Sequence, residues 1–407
     1  MSGALASDAP RRKARLTLHG DDLQPALVTT PLAGIRVLDV STVVAGPGCA
    51  RYLADFGATV IKVERPDGGD STRRMGFADP ADPTGDSLFW KLLSRGKACV
   101  ALDLKDDGGR ATLLRLVAGA HVLVENLRPG GLEKLGLGPD VLLDRNPALV
   151  ITRITGFGQD GPYSHRAGFA TLAEAMSGFA GLNGEPDGGP LLPPIALTDE
   201  VTALAAAFAT LAALRSGVGQ VVDLNLLETM LQLMGPLPAH HAATGELQPR
   251  LGSGIAYSVP RGTWQCRDGR WVAVSTSAES VARRVLDLIG LGDDPELATF
   301  GGRMAHRERI DARLEEWIGA RTSDEVLAAF EAAEAAAAPV YDMADVAADP
   351  HLQARGALVD VGGVRMQGLV ARLSATPGEV RWAGRALGAD QAVLDEADPW
   401  ATLEAGT

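Results

Sequence analysis

Among the side chains able to do chemistry, Asp199 has the most telling surroundings. It follows the run Leu191–Leu197, which is apolar and carries two prolines, and Thr198. A strongly apolar stretch comes next and predicts a helix over 200–215. An aspartate at a helix start caps it, accepting hydrogen bonds from the free N–H groups of the first turn. Those N–H groups and the helix dipole also favour the ionised form. If a cleft reaches that carboxylate, it can be a nucleophile, and the two readings are compatible.

A second constellation is basic. Arg65, Arg73, Arg74, Lys97, Lys105, Arg128 and Lys134 fall at or just after expected strand ends, and no lysine follows Lys134. Individually such residues are usually a solvated face. Together, beyond the carboxyl ends of strands, they suit an anion carrying several phosphates. The third feature is Gly252-Ser253-Gly254 within Leu251–Ile255. It reads as a linker turn, or as a flexible lid offering backbone N–H donors to an acyl group. Cys49, Cys99 and Cys266 are too scattered for a disulfide framework or a zinc site, and His240-His241 lacks ligand spacing, so no metal is expected.

The elements that must position these residues read as α/β. Gly34–Val40 is a strand, Gly46-Pro47-Gly48 opens a helix to Phe56, and Ala58–Glu64 is a second strand, making a right-handed βαβ unit. Strands over 98–103, 121–125, 149–154 and 220–224, with a helix over 108–118, extend this to a doubly wound, Rossmann-like sheet. No G-x-G-x-x-G follows the first strand, and Pro47 removes an N–H, so dinucleotide binding is disfavoured. A helical piece is expected over 167–179 and a hairpin over 262–275, turning at Asp268-Gly269. The expected organisation is a loosely ordered arm over 1–30 and a large α/β domain over 31–225. A smaller α+β domain follows over 226–335, and 336–407 returns to the large domain.

Charge narrows the partners. The 407 residues carry 38 Lys+Arg against 51 Asp+Glu, a net charge of −13. That balance argues against nucleic-acid or membrane-surface binding and leaves an anionic ligand dependent on a local basic cluster. Residues 1–30 contain no apolar signal core. The apolar stretch Val201–Leu214 is shorter than the ~20 residues of a membrane span. A cytoplasmic, reducing setting is the expectation.

Several motifs then occur in order: Pro31-Leu-Ala-Gly-Ile-Arg-Val-Leu-Asp39, Ala45-Gly-Pro47, Phe56-Gly-Ala-Thr-Val-Ile-Lys-Val-Glu-Arg-Pro66, Val124-Glu-Asn-Leu-Arg-Pro-Gly130, Gly156-Phe-Gly-Gln-Asp-Gly-Pro162 and Ala348-Asp-Pro-His-Leu352. This series resembles the class III (CaiB/BaiF-type) CoA-transferases, a group that includes formyl-CoA transferase and α-methylacyl-CoA racemase. The resemblance implies an interlocked homodimer that moves CoA from an acyl-CoA to a carboxylic acid. Coenzyme A would enter as the acyl-CoA substrate. Asp199 would attack the thioester and form covalent intermediates. By position, Val44, Ala45, Arg65, Leu102, Lys105, Asn126 and Lys134 would contact CoA. Phe169, Ala170, Gly252, Ser253 and Gly254 would meet the acyl group.

The chain departs from the family at four places. Many members have Gly where Thr198 stands. Formyl-CoA transferase has Gln and Glu at the positions of Val44 and Ala170, so an apolar acyl group is expected over oxalate. The racemase has a proton-transferring His at the position of Phe169, and phenylalanine cannot exchange a proton. A non-catalytic subunit of a hetero-oligomer and an acyl-CoA isomerase or racemase are the alternative readings.

Overall fold

Runs of Val, Ile and Leu with little polar alternation form strands covered on both faces. Five such strands are β1 (Arg36–Asp39), β2 (Thr59–Glu64), β3 (Lys97–Ala101), β4 (Val122–Glu125) and β5 (Val150–Thr155). The sixth, β6 (Gln220–Asn225), alternates exposed and half-buried residues, as an edge strand does. The computed structural model describes residues 30–80 and 82–406. The expected N-terminal arm, except Thr30, lies outside the described residues. The six strands pair in parallel in the order β3-β2-β1-β4-β5-β6. Chain progression reverses between β1 and β4, and a crevice opens there beyond the strands' carboxyl ends.

The Gly-Pro-Gly segment lies inside a helix, Ala45–Asp55, rather than ahead of one. Its glycines permit close approach. A Cβ on Gly48 would lie 2.8 Å from Ala203 Cβ, and one on Gly46 would lie 2.3 Å from Ser41 Cβ. The partner is the helix Leu197–Ser216, which buries Thr198, Thr202, Ala203, Ala206, Ala207 and Thr210. This helix has 20 residues and a mean hydropathy of 1.4, enough by length and composition to cross a membrane. Here small side chains line its buried face instead, so two helix backbones meet over the sheet.

The described residues form two compact units. One comprises residues through Ser177, Pro193–Leu233 and Gly356 onward; the other comprises Gly178–Leu192 and Met234–Arg355. The expected limits of 226 and 335 differ from these. Helix Leu226–Leu233 begins directly after β6 and stays with the sheet. At the other end, β9 (Ala337–Pro339) pairs with β8 (Trp271–Ser275), which pairs with β7 (Arg261–Gln265), so the chain is still within the second unit at 339. Segment 178–192 joins that unit because the Arg250 guanidinium donates to the carbonyls of Gly181, Glu185 and Gly188. The second unit has its own core of Trp264, Val272, Val274, Leu314, Trp317 and Phe330.

The helix expected over 167–179 is shorter, Ala170–Met176, because Gly178 takes φ 94° and starts a separate turn, Phe179–Leu182. All three cysteines are buried and free.

Candidate active site

A cavity of about 370 Å³ opens beyond the carboxyl ends of β1, β2 and β3. Val40, Val63, Leu102, Leu104, Leu127 and Leu135 supply its apolar walls, and Arg65 and Lys105 line it as well. Leu102 is buried, while Arg65 and Lys105 are exposed. Arg65 Nε donates to Gly69 O at 2.9 Å, which leaves the rest of its guanidinium fork unspent among the described residues. Apolar walls with two cations at the rim accommodate a flat ring system carrying an anionic extension.

The loop between β1 and the first helix is held tightly. Asn126 Oδ1 accepts the Thr42 N–H at 2.7 Å, and Asn126 Nδ2 donates to Thr42 O at 2.6 Å. Val43 has φ 68°, a region that β-branched residues avoid, and Asp70 accepts its N–H at 3.3 Å. Val44 and Ala45 follow, both buried. Thus the structure gathers Arg65, Leu102 and Lys105 around one cavity and ties Asn126 to its wall through Thr42. Val44, Ala45 and Lys134 do not line it; Lys134 is exposed at the end of the short helix Gly131–Lys134.

Two members of the expected basic cluster are internal. Lys97 opens β3 at its amino end, and its Nζ donates to Asp39 Oδ2 at 2.8 Å and Pro47 O at 2.6 Å. Lys62 completes this group, 3.6 Å from Asp39 and 3.3 Å from Asp70, and the side chains of Lys62, Lys97 and Asp39 are all at 0% exposure. Burial pushes the Asp39 carboxyl up, but Lys62 and Lys97 outweigh it and hold it below the usual range. Arg73 donates to Glu64 at 2.7 Å and Asp86 at 2.7 Å and lies 3.7 Å over the Trp90 ring. Neither Lys97 nor Arg73 is free to meet a ligand, because each is consumed by buried carboxylates.

Asp199 sits differently from its expected place. The helix starts at Leu197 with Ala196 as N-cap, so Asp199 lies within the first turn and caps nothing. It is half-buried, and no described residue donates a hydrogen bond to its carboxylate. Burial, then the Glu174 and Glu200 carboxylates, push its carboxyl up to about 6. The helix dipole, expected to stabilise the anion, is outweighed. Neighbouring Glu200 accepts from Arg51 Nη2 and Tyr52 Oη, each at 3.0 Å.

Phe169, 63% exposed, is the N-cap of the helix Ala170–Met176, and Ala170 begins it. That helix carries Glu174, whose Oε1 accepts the Thr198 hydroxyl at 2.8 Å. The sequence reading missed Glu174, Arg51 and Tyr52. A lone acid inside Ala-Thr-Leu-Ala-Glu-Ala-Met was the available signal for the first. Gly252, Ser253 and Gly254 belong to the second unit, where Ser253 Oγ accepts the Thr263 N–H at 2.9 Å and Gly252 has φ 56°. Among the described residues, no group of three or more His, Cys, Asp or Glu is arranged to hold a metal ion.

The chain is also similar to known proteins. The profile of CoA-transferase family III matches residues 32–391. The chain is 40% identical over 377 residues to the β subunit of succinyl-CoA–L-malate CoA-transferase of Chloroflexus aurantiacus, covering 88% of this chain and 92% of that protein. It is 37% identical over 370 residues to succinyl-CoA–D-citramalate CoA-transferase of the same organism, covering 88% and 91%. A crystal structure of a CaiB/BaiF family protein from Brucella suis matches with a TM-score of 0.80 at 32% identity, covering 91% of this chain and 100% of that one.

Proposed function

The chain belongs to CoA-transferase family III, and from that premise we propose that Asp199 is the nucleophile through which it moves CoA from an acyl-CoA to a carboxylic acid. The Asp199 carboxylate attacks the thioester carbonyl carbon, the C–S bond breaks, and CoA leaves as thiolate from a mixed anhydride. The thiolate then attacks the Asp199 carbonyl of that anhydride, releasing the donor carboxylate and leaving an aspartyl-CoA thioester. The acceptor carboxylate repeats the sequence in reverse, which regenerates Asp199 and yields the new acyl-CoA. Splitting the transfer in this way replaces one difficult displacement by easier steps.

The observation that carries this reading is a half-buried carboxylate in a helix first turn with no described donor bound to it. A structural aspartate in that position would be spent on the free N–H groups. The cavity of Arg65, Leu102 and Lys105 is the proposed seat of the nucleotide end of CoA: leucines against the ring, cations toward the phosphates. Val44, Ala45, Asn126 and Lys134 are proposed further CoA contacts. Phe169 and Ala170 are proposed at the acyl end, with Gly252, Ser253 and Gly254 through the likeness of their loop.

A homodimer is proposed as the working form. Leu204, Phe208 and Leu211, 39%, 75% and 37% exposed on one helix, are apolar surface that a second copy would cover. Three free, buried thiols suit a reducing, cytoplasmic setting. Acceptor identity is open to direct assay. Val44, Phe169 and Ala170 bring no charge to a second carboxylate, yet two relatives are named for succinyl-CoA with malate or citramalate. The acid panel therefore needs both dicarboxylates and apolar acids.

The test is mass spectrometry of the enzyme incubated with acyl-CoA. The peptide holding Asp199 should gain CoA, and hydroxylamine should convert it to a hydroxamate. Asp199→Ala should give neither adduct nor transfer, with a fall in kcat of at least about 10³-fold. Transfer by purified Asp199→Ala would overturn the assignment.

A further inference from the structure

Among the described residues, buried carboxylates follow a rule, with one departure. Asp39, Asp55, Glu64, Asp70, Asp86 and Glu125 are all buried, and each has a Lys or Arg within ion-pair distance. Glu174 is 3% exposed and has no such cation among the described residues. Its side chain accepts one hydrogen bond, from the Thr198 hydroxyl at 2.8 Å. Thr198 is at 0% exposure and directly precedes Asp199. Burying a charge without a cation is costly, and nothing in the packing of Ala-Thr-Leu-Ala-Glu-Ala-Met calls for one.

We propose that Glu174 is a positioning residue: through Thr198 it anchors the first turn that carries Asp199, and its carboxylate repels the Asp199 anion so that the latter attacks a thioester more readily. The inference rests on Asp199 being the nucleophile. Its physical basis is a charge difference along the reaction. Free Asp199 is an anion next to Thr198, whose hydroxyl binds a second carboxylate. Once acylated or joined to CoA it is neutral, and the repulsion is gone. The neighbour therefore raises the free enzyme more than the transition state leading to the intermediate. The raised Asp199 carboxyl, for which Glu174 is the larger of two charged causes after burial, agrees with this.

The other charged groups on elements packed against this helix are paired elsewhere or exposed, Asp55 pairing with Arg95 at 2.6 Å. Arg51 and Tyr52, from helix Ala45–Asp55, bind Glu200. Arg153 of β5 pairs with Glu125 and Glu133, and Asp223 of β6 accepts the Gln159 N–H. Glu228 of helix Leu226–Leu233 is exposed.

The experiment compares kcat/KM against pH for wild type, Glu174→Gln, Thr198→Val and Thr198→Ser, with CoA affinity by calorimetry. Glutamine still accepts the Thr198 hydroxyl and removes only the charge. The acid limb of Glu174→Gln should move down by about half a pH unit or more, and its plateau should fall about 10-fold. CoA affinity should stay within about twofold of wild type, since the change touches the nucleophile and not the nucleotide seat. Thr198→Val should also lose plateau rate and Thr198→Ser restore it. A wild-type limb and plateau in Glu174→Gln would overturn the proposal. Should that variant not fold, a wild-type profile in Thr198→Val would do the same. Asp199→Ala in the same assay separates the two ideas. If it transfers CoA, the nucleophile reading fails. If it is inactive while Glu174→Gln is normal, only the role of Glu174 falls.

Discussion

The carboxylates beneath β1 and β2 and those at the start of the Leu197–Ser216 helix are two ways of hiding negative charge. In the first region Asp39 and Asp70 share Lys62, Lys97 reinforces Asp39, and Arg73 clamps Glu64 and Asp86. Attraction there offsets desolvation, and Asp39 stays ionised. In the second region Asp199 and Glu174 have no cation between them among the described residues, and Asp199 is pushed up to about 6. One arrangement holds loops and strands in register around the cavity. The other leaves an anion under-solvated, at the residue proposed as the nucleophile. The depth of burial is similar for Asp39 and Glu174; the supply of cationic partners is what differs.

The sharpest way to break this contrast is to remove a charge from each region. Lys97→Met should cost about 3–5 kcal/mol, because Asp39 would lose half its compensation while remaining buried. The midpoint of chemical denaturation reads this, and an unchanged midpoint would mean the network is not what holds these strands. Asp199→Asn should do the opposite and stabilise the protein by on the order of 1–2 kcal/mol at pH 7.5. The sign follows from a folded carboxyl at about 6 against an ordinary value of 3.8. Ionisation in the fold carries a cost that is absent below the ordinary value, grows as pH rises between the two, and is complete above about 6. The gain from asparagine should therefore vanish near pH 4. An equal effect at both pH values would show that charge is not its cause.

Smaller effects sharpen the assignment of the cavity. Arg65→Ala and Lys105→Ala should each weaken CoA binding about 5–10-fold at low salt and less at high salt, as exposed charges are screened. Their stability should hardly change, in contrast to Lys97→Met. Unchanged CoA affinity in both, by calorimetry, would reduce these side chains to solvated surface.

Much of the architecture was legible in one dimension. Runs such as Val-Leu-Asp and Thr-Val-Ile-Lys-Val-Glu mark buried parallel strands, and their spacing with glycine stops marks the crossovers. Asp268-Gly269 announced the hairpin. The helix starts were less readable: Leu197-Thr198 joined the helix because Thr198 found a buried partner, and Asp199 moved from cap to first turn. The seven basic residues of the expected cluster look alike in sequence. Folding separates Lys97 and Arg73, spent on Asp39, Glu64 and Asp86, from Arg65 and Lys105 at the cavity.

By itself, then, the sequence determined the strand and helix pattern, the family motifs and the presence of an aspartate near the start of an apolar helix, because propensity and periodicity are local. Tertiary structure decided what each charge faces. Thr198 meets Glu174 across 24 positions and Lys97 meets Asp39 across 58. Whether a carboxylate is neutralised or left reactive depends on which side chains packing brings within a few ångströms, where Coulomb energies and desolvation are settled.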